Sequence, residues 1–271
     1  EQLTFISIFF SMHKLSILIS NDDGIHARGL LTLVEEIKKI ATVTVVAPAT
    51  QQSAVGHAIT VHNPLRAHKV EKNGELFGYA VDGTPADCIK LAVNALLPQK
   101  PDLVLSGINH GSNTAVSVMY SGTVSAATEG TILGIPSIAI SLTTFAPDAD
   151  FSFAAQFART LSATVMQKGL PKGTLLNVNV PAVPRKEIKG VVVTRQGKSI
   201  WNDEFEARRD PSNREYFWLK GDLLELDIHD DVDQKAISDN KISITPIQYD
   251  LTDYTFLEKL KEWNVNSLMN E

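Results

Sequence analysis

The chain has 271 residues, 44% of them hydrophobic, and a formal net charge of −6 at pH 7. This length suits one large α/β domain or two small ones, and the apolar fraction argues against extensive disorder. The negative charge offers no basic surface to a nucleic acid backbone, and no stretch reaches the roughly 18 apolar residues of a membrane span. We therefore expect neither a nucleic acid duplex nor a membrane as a partner.

The N-terminal residues EQLTFISIFFS precede the first methionine, Met12. We interpret Met12 as the natural start and residues 1–11 as a start-site or cloning artefact, and a signal peptide is the alternative. Cys88 is the only cysteine, so no disulfide can form within the chain, which favours a reducing compartment. We expect a cytoplasmic protein.

Short apolar runs alternate with helical patterns through the first two-thirds of the chain. Strands are predicted where β-branched and other apolar residues run together, at 15–20, 43–47, 102–107, 136–141 and 174–181. Helices are predicted from amphipathic spacing and from an opening proline or a closing glycine, at 28–40, 85–97, 121–133 and 151–169. Continuous apolar strands separated by helices are typical of a mostly parallel sheet covered on both faces. We predict a three-layer, Rossmann-like α/β catalytic core over residues 12–185.

The pattern changes at about residue 186. GVVVTRQG, YFWLKG and KISITPIQY read as strands with no helix between them, and TDYTFLEKLKEWNV reads as a last helix capped by Thr252 or Asp253. We predict a C-terminal extension over residues 186–271, rich in β-hairpins that project from the core. It carries large apolar side chains: Trp201, Phe205, Tyr216, Phe217, Trp218, Phe256 and Trp263. They need a covering surface, either a second subunit or, as the alternative, the chain's own core.

The first predicted strand is followed by two adjacent acidic residues, Asp22 and Asp23. Neighbouring carboxylates repel each other unless a metal ion, an arginine or a shared proton relieves the repulsion. The alternative is that they cap the next helix, because acidic residues are favourable at its positive end. Gly24 follows the pair and lets the chain turn sharply, and we favour the metal.

Polar, glycine-containing loops also follow the strands predicted at 43–47 and 102–107. In an open parallel sheet, ligands bind beyond the carboxyl ends of the strands. If these strands are neighbours, four side chains can converge on one point: Asp22, Asp23, Ser53 and Asn109. Carboxylate, hydroxyl and amide oxygens suit Mg²⁺, Mn²⁺ or Ca²⁺ rather than zinc. The pattern therefore indicates a site for a hard divalent cation.

A second signal is the segment YSGTVSAATEG, in which Ser121, Gly122 and Thr123 begin a predicted helix. Free backbone N–H groups and hydroxyls at a helix N-terminus suit an anion such as phosphate, and an ordinary serine or threonine cap is the alternative. His57 and His110 lie in the loops that follow two of the strands. Each of them is either a site residue or a structural histidine.

Five segments, taken in order, resemble the successive motifs of one family: ILISNDDGIHARGL, VVAPATQQSAVGHAIT, VDGTPADCIKLA, SGINHGSN and YSGTVSAATEG. This is the SurE family of nucleotidases, which remove phosphate from nucleoside monophosphates. The five segments lie between about residues 14 and 140, and the later LLNVNVP also fits.

The resemblance implies one divalent cation per subunit, Mg²⁺ or Mn²⁺, on the four residues gathered above. It implies a phosphomonoesterase acting on nucleoside 5′-monophosphates, and we extend this expectation to 3′-monophosphates. Asp22 or Asp23 would orient or deprotonate the attacking water, and His110 would protonate the leaving oxygen. The phosphoryl oxygens would be held by Asn109, Ser121, Gly122 and Thr123.

The resemblance also implies a homodimer that exchanges its C-terminal segment between subunits, or a tetramer in which hairpins pair two such dimers. The alternative function is a non-catalytic sensor of nucleotide or phosphate that uses the same metal site. Both readings predict binding, and only the enzyme predicts turnover. Two adjacent carboxylates favour the enzyme, because a cation that merely bridges a phosphate can be held by one carboxylate.

Overall fold

The structure is a computed structural model that describes residues 15–263 and 265–270 of the chain. Met12 and the expected artefact at residues 1–11 lie outside the described residues. The strands are β1 (Ser16–Ser20), β2 (Thr42–Pro48), β3 (Ala67–Lys72), β4 (Glu75–Val81), β5 (Leu103–His110), β6 (Ser137–Leu142), β7 (Thr174–Val180), β8 (Val191–Val193), β9 (Ile200–Arg209), β10 (Glu215–Leu224) and β11 (Ile242–Gln248).

The helices alternate with these strands through the first part of the chain, as the sequence predicts. They are α1 (Arg28–Ile37), α2 (Pro85–Leu91), α3 (Ser117–Tyr120), α4 (Gly122–Ile132), α5 (Ser152–Lys168), α6 (Asp233–Ser238) and α7 (Tyr254–Lys261). A π-helical turn, Ala92–Leu96, continues α2, and short 3₁₀ turns occupy Arg185–Glu187 and Val265–Asn270. Among the described helices, none combines the length and the apolar character that a bilayer span demands.

A nine-stranded sheet in the order β3-β4-β2-β1-β5-β6-β7-β11-β8 forms the centre of the molecule. Six strands that are consecutive in the sheet, β4-β2-β1-β5-β6-β7, are parallel to one another. Strands β3 and β11 are antiparallel to β4 and β7, and β8 is parallel to β11. The prediction of a mostly parallel, Rossmann-like sheet is confirmed.

The residues of β1 show why helices cover both faces of this sheet. Ile17 and Ile19 pack into one apolar cluster, which includes the buried stripe of α1 and the alanines of α5. Leu18, pointing to the other face, packs into a second cluster with residues of α2 and α4. Alternate residues of a strand point to opposite faces, so a continuous apolar run is buried on both. Three layers result.

The antiparallel pair β3–β4 is absent from the elements that the sequence analysis predicted. Asn73 and Gly74 join the two strands, with φ angles of 57° and 79°. An Asn-Gly pair tolerates positive φ and favours a tight two-residue hairpin turn. This dipeptide is the signal that could have revealed the hairpin.

Among the described residues one hairpin projects from the core, although the sequence suggested several. Strands β9 and β10 pair with each other in a separate two-stranded sheet. Strands β8 and β11, by contrast, extend the central sheet beyond β7, and Ile242 of β11 is buried in its core. The predicted division of the chain at residue 185 stays a prediction. The central sheet itself continues past that residue, through β8 and β11.

Candidate active site

The site lies where the chain reverses its direction of travel across the sheet. Strand β1 has β2 on one side and β5 on the other, so the loops that leave β1 and β5 diverge. Such a switch point opens a crevice at the carboxyl ends of parallel strands. The acidic pair follows β1 directly, and Asn109 and His110 end β5.

Each carboxylate of the pair is held by a residue distant in the chain. Asp22 is buried, with 4% of its surface exposed, and accepts a hydrogen bond from the hydroxyl of Thr123. Asp23 Oδ2 accepts the backbone N–H of His110 at 3.1 Å. The pair is therefore fixed between the end of β5 and the first turn of α4.

The pKa values of both acids are raised, which indicates that their negative charges are poorly compensated within the protein. Burial, opposed by the bond from Thr123 and reinforced by repulsion from Asp23, raises the pKa of Asp22 to about 6. Burial also raises the pKa of Asp23, against the lowering effects of the His110 backbone N–H and of the charge interaction with His110. Within the described residues, no lysine or arginine contributes to either pKa. Two desolvated acids with no lysine or arginine beside them favour a bound cation.

The other two predicted ligands lie close to this pair. Gln51 Nε2 donates to Ser53 Oγ at 2.8 Å and lies 3.4 Å from Asp23 Oδ1, so it links the two. The Asn109 amide nitrogen donates to the Gly111 carbonyl at 2.7 Å, which fixes the side chain and leaves its oxygen as the acceptor end. The structure thus gathers all four predicted ligands at one edge of the sheet.

This donor set fits a hard cation. Its atoms are carboxylate, hydroxyl and amide oxygens, which Mg²⁺ and Mn²⁺ accept. Three buried oxygens near the carboxyl end of β1 and on the neighbouring strand β5 also lack a hydrogen-bond partner among the described residues: Ser20 Oγ, Asn21 Oδ1 and Ser106 Oγ. Among the described residues no three His, Cys, Asp or Glu side chains cluster for a metal ion, so a cation held by the acidic pair would need the neutral oxygens of Ser53 and Asn109 as further ligands.

The segment predicted to bind phosphate lies directly against Asp22. A side chain on Gly122 would place its Cβ 2.7 Å from Asp22 Cβ, so glycine permits this contact. The Ser121 hydroxyl accepts the backbone N–H of Val124 at 3.0 Å and caps α4. Thr123 is fully buried and its hydroxyl serves Asp22. Both hydroxyls are thus engaged within the protein, and only Ser121 retains a proton to donate outward.

His110 meets the acidic pair through its backbone. Its ring Nε2 lies 2.8 Å from the Ala146 carbonyl, which requires a proton on that nitrogen. The ring lies between Phe145 and Phe151, with centroids 6.3 Å and 5.7 Å away. A role as proton donor stays a prediction, and it would use Nδ1 or follow release of Ala146.

A buried polar network that the sequence analysis did not identify holds the loop after β5. The backbone N–H of Asn113 donates to Asn179 Oδ1 at 2.8 Å, and the Asn113 carbonyl accepts the amides of Asn177 and Asn179. Asn113 Nδ2 also donates to Ser141 Oγ at 3.0 Å. The motif LLNVNVP carries the signal, because its two asparagines interrupt an apolar strand.

Fold and site together define a doubly wound α/β protein with a paired-carboxylate centre at the carboxyl edge of its sheet. A family model described as survival protein SurE matches residues 17–203. The chain belongs to the SurE family.

Relatives and a solved structure agree with this assignment. A protein named 5′-nucleotidase SurE from Chlorobium phaeobacteroides is 48% identical over 94% of this chain and 98% of the relative. One of the same name from Syntrophus aciditrophicus is 51% identical, covering 90% and 92%. The crystal structure of the SurE protein from Aquifex aeolicus matches with a TM-score of 0.79 at 39% identity, covering 91% of this chain and 98% of that one.

Proposed function

We propose that this chain is a metal-dependent 5′-nucleotidase that hydrolyses nucleoside 5′-monophosphates to nucleoside and phosphate, and that it accepts 3′-monophosphates as well. The observation that carries the proposal is the acidic pair of buried Asp22 and partly buried Asp23. Among the described residues no lysine or arginine contributes to the pKa of either acid, and the pair lies beside a helix N-terminus. The name of the relatives, 5′-nucleotidase SurE, supports the substrate class.

Four residues would hold one Mg²⁺ or Mn²⁺ per subunit: Asp22, Asp23, Ser53 and Asn109. A cation bound there polarises a phosphoryl oxygen and lowers the pKa of a bound water. Asp22 and Asp23 supply the negative charge, and the neutral oxygens of Ser53 and Asn109 complete the set. The bond from Thr123 holds Asp22 in its rotamer, which is the usual role of a partner behind a metal ligand.

The chain's own groups divide the remaining work around the phosphate. Asn109, Ser121 and the first turn of α4 bind phosphoryl oxygens, because this turn presents N–H groups and the positive end of the helix dipole. Asp23, held by the His110 backbone at 3.1 Å, orients the attacking water and accepts its proton. The His110 ring donates a proton to the leaving oxygen.

The experiment is a phosphate-release assay on AMP and GMP with Mg²⁺ or Mn²⁺, with EDTA as the control. We expect turnover with metal, none with EDTA, and loss of most activity in Asp23→Asn at saturating metal. A parallel assay on 3′-AMP tests the wider substrate range. Nucleotide binding without phosphate release from any monophosphate would overturn the enzyme and leave a sensor.

For the assembly, we propose a homodimer that exchanges its C-terminal segment, or a tetramer in which hairpins pair two such dimers. No residue of helix α7 is buried in the single chain, and the β9–β10 hairpin exposes Phe205, Trp218 and other large apolar side chains. Such surfaces are typical of interfaces. A cytoplasmic location is also a proposal, supported by the lone cysteine, Cys88.

A further inference from the structure

The loop between β2 and β3, residues 49–66, carries Ser53 and forms neither helix nor strand. Most of its residues are exposed. A loop of this kind holds a metal ligand in place only if it is fixed by bonds to the core. Near Ser53, the Gln52 backbone N–H donates to the Asp22 carbonyl at 2.7 Å.

A buried carboxylate on α4 holds the loop four residues after Ser53. Glu129 is 2% exposed, and its Oε2 lies 2.9 Å from His57 Nε2. Lys90 of α2 lies 2.6 Å from the other oxygen, Oε1. Burial alone would raise the pKa of Glu129, but the bonds from His57 and Lys90 outweigh it and hold the pKa below its usual range. Glu129 is therefore a buried anion with one partner in the loop.

A second buried carboxylate, on α2, holds the loop three residues further on. Asp87 is 1% exposed and accepts both the backbone N–H of Thr60, at 2.9 Å, and its hydroxyl, at 2.6 Å. Thr84, which caps α2, donates its hydroxyl to the Ala58 carbonyl at 2.7 Å. The Gly56 N–H reaches the Tyr120 carbonyl at 3.0 Å. The segment 56–60 is thus bound to both helices beside the site.

The two carboxylates make this docked position of the loop strongly favoured. A buried charge that loses a partner is far less stable than one that keeps it. If the loop lifted away, Glu129 would lose His57 and Asp87 would lose both bonds from Thr60. The same helix, α4, carries Glu129 and the residues around Asp22, so the loop and the acidic pair share one rigid support.

We infer that His57 and Thr60 are positioning residues: by binding Glu129 and Asp87 they fix the loop that holds Ser53 at the metal site. The inference rests on the proposed function for the role of Ser53. His57 acts through the loop and has no part in the chemistry. Its role is therefore structural.

The test is a double-mutant cycle on the full chain, read as the Kd for Mn²⁺ by titration calorimetry without substrate. If His57 acts through Ser53, His57→Ala weakens Mn²⁺ binding about tenfold, as losses behind a metal ligand commonly do. In a Ser53→Ala background, the same change then has little further effect. Thr60→Val follows the same pattern, and His57→Gln, which keeps a donor, restores part of the affinity.

The matched control is His68→Ala. His68 also faces a carboxylate, Asp82, at 3.5 Å, but it lies on the edge strand β3 with a side chain 62% exposed. We expect its Mn²⁺ affinity to equal that of the unchanged protein. Hydrogen exchange supplies a second measurement: the amides of Gln52 and Gly56 should exchange faster in His57→Ala and unchanged in His68→Ala.

Unchanged Mn²⁺ affinity and unchanged exchange in His57→Ala would overturn the inference. So would a loss of affinity that persists in full when Ser53 is already alanine, because His57 would then act by another route. The phosphate-release assay separates this failure from that of the proposed function. A chain that binds Mn²⁺ and follows the cycle but never turns over is not a nucleotidase, and its loop anchors stand.

Discussion

At the residue scale, the acidic pair proposed to bind the metal also destabilises the metal-free fold. Asp22 is buried beside Asp23, and its pKa is raised from 3.8 to about 6 by burial first and by repulsion from Asp23. The folded state thus binds this proton more tightly than the unfolded state. Without a cation, stability falls as pH rises through the interval between the two pKa values.

We predict that Asp22→Asn abolishes metal-dependent turnover and stabilises the metal-free fold at neutral pH. The shift of Asp22 from 3.8 to about 6 corresponds to about 3 kcal/mol, lost progressively between about pH 4 and pH 6. Asparagine removes the charge and can still accept the Thr123 hydroxyl. Urea unfolding in EDTA at pH 4 and pH 7.5 measures this. A variant less stable than the unchanged protein at pH 7.5 would contradict it.

Gly122 gives a second prediction at this scale. A Cβ there would lie 2.7 Å from Asp22 Cβ and 3.0 Å from its Oδ2, so Gly122→Ala must displace the carboxylate. Displacing a group in an active site by about 1 Å lowers activity roughly 100-fold. Phosphate release and the Kd for Mn²⁺ measure the loss. Thr128→Ala on the same helix is the control, and near-native activity of Gly122→Ala would show that Asp22 needs no close support.

At the scale of elements, the β9–β10 hairpin stands outside the central sheet, and a hydrogen bond from Trp201 Nε1 to Ser117 Oγ at 3.3 Å joins it to α3. It forms a two-stranded sheet by itself, and such a ribbon is marginally stable in water. Phe205 and Leu219 face each other across it and are 66% and 60% exposed. Apolar pairs of this kind are expected to be covered by another subunit.

We predict that replacing both Phe205 and Leu219 with serine reduces the mass of the assembled particle and leaves the core folded. The pair lies on the hairpin, outside the central sheet, so the thermal midpoint of the core should change little. Light scattering after gel filtration measures the mass. As a control, Leu76→Ser changes an exposed leucine on β4, the strand next to the edge strand β3 and outside the hairpin. If the double variant and the unchanged protein have equal masses, the hairpin is not part of the interface.

At the scale of the whole molecule, the C-terminal segment stands apart from the fold that carries the site. Strand β11 ends at Gln248 and pairs with β7 through the core. The residues that follow form α7, which buries no side chain in the single chain. The central sheet is therefore complete before α7 begins.

We predict that truncation after residue 250 yields smaller and less stable particles. The change removes α7 and leaves every strand of the central sheet in place, so the loss reports on assembly. Light scattering gives the mass, and a thermal scan at micromolar concentration gives the midpoint. If the full-length protein itself runs as a compact monomer at that concentration, exchange of the C-terminal segment does not occur.

Local sequence patterns were sufficient to predict the parallel core and the position of the acidic pair. Ile17, Leu18 and Ile19 form a continuous apolar run, which is a local pattern, and the acids that follow must then lie at the carboxyl edge. The capping of α7 by Asp253 was also local, since its carboxylate binds the amides of Thr255 and Phe256. The polar loops after two further strands added Ser53 and Asn109 to the predicted ligand set, and the family motifs coincide with the same four residues.

Contacts between distant groups depend on tertiary packing. Thr123 reaches Asp22 from 101 residues away, and His57 reaches Glu129 from 72 residues away. No local pattern encodes such pairs, because they depend on how α4 packs beside β1 and where the loop after β2 returns. The place of β11 also depends on tertiary packing. Its sequence predicts a strand but does not say which strand it pairs with, and in the fold it pairs with the open edge of β7.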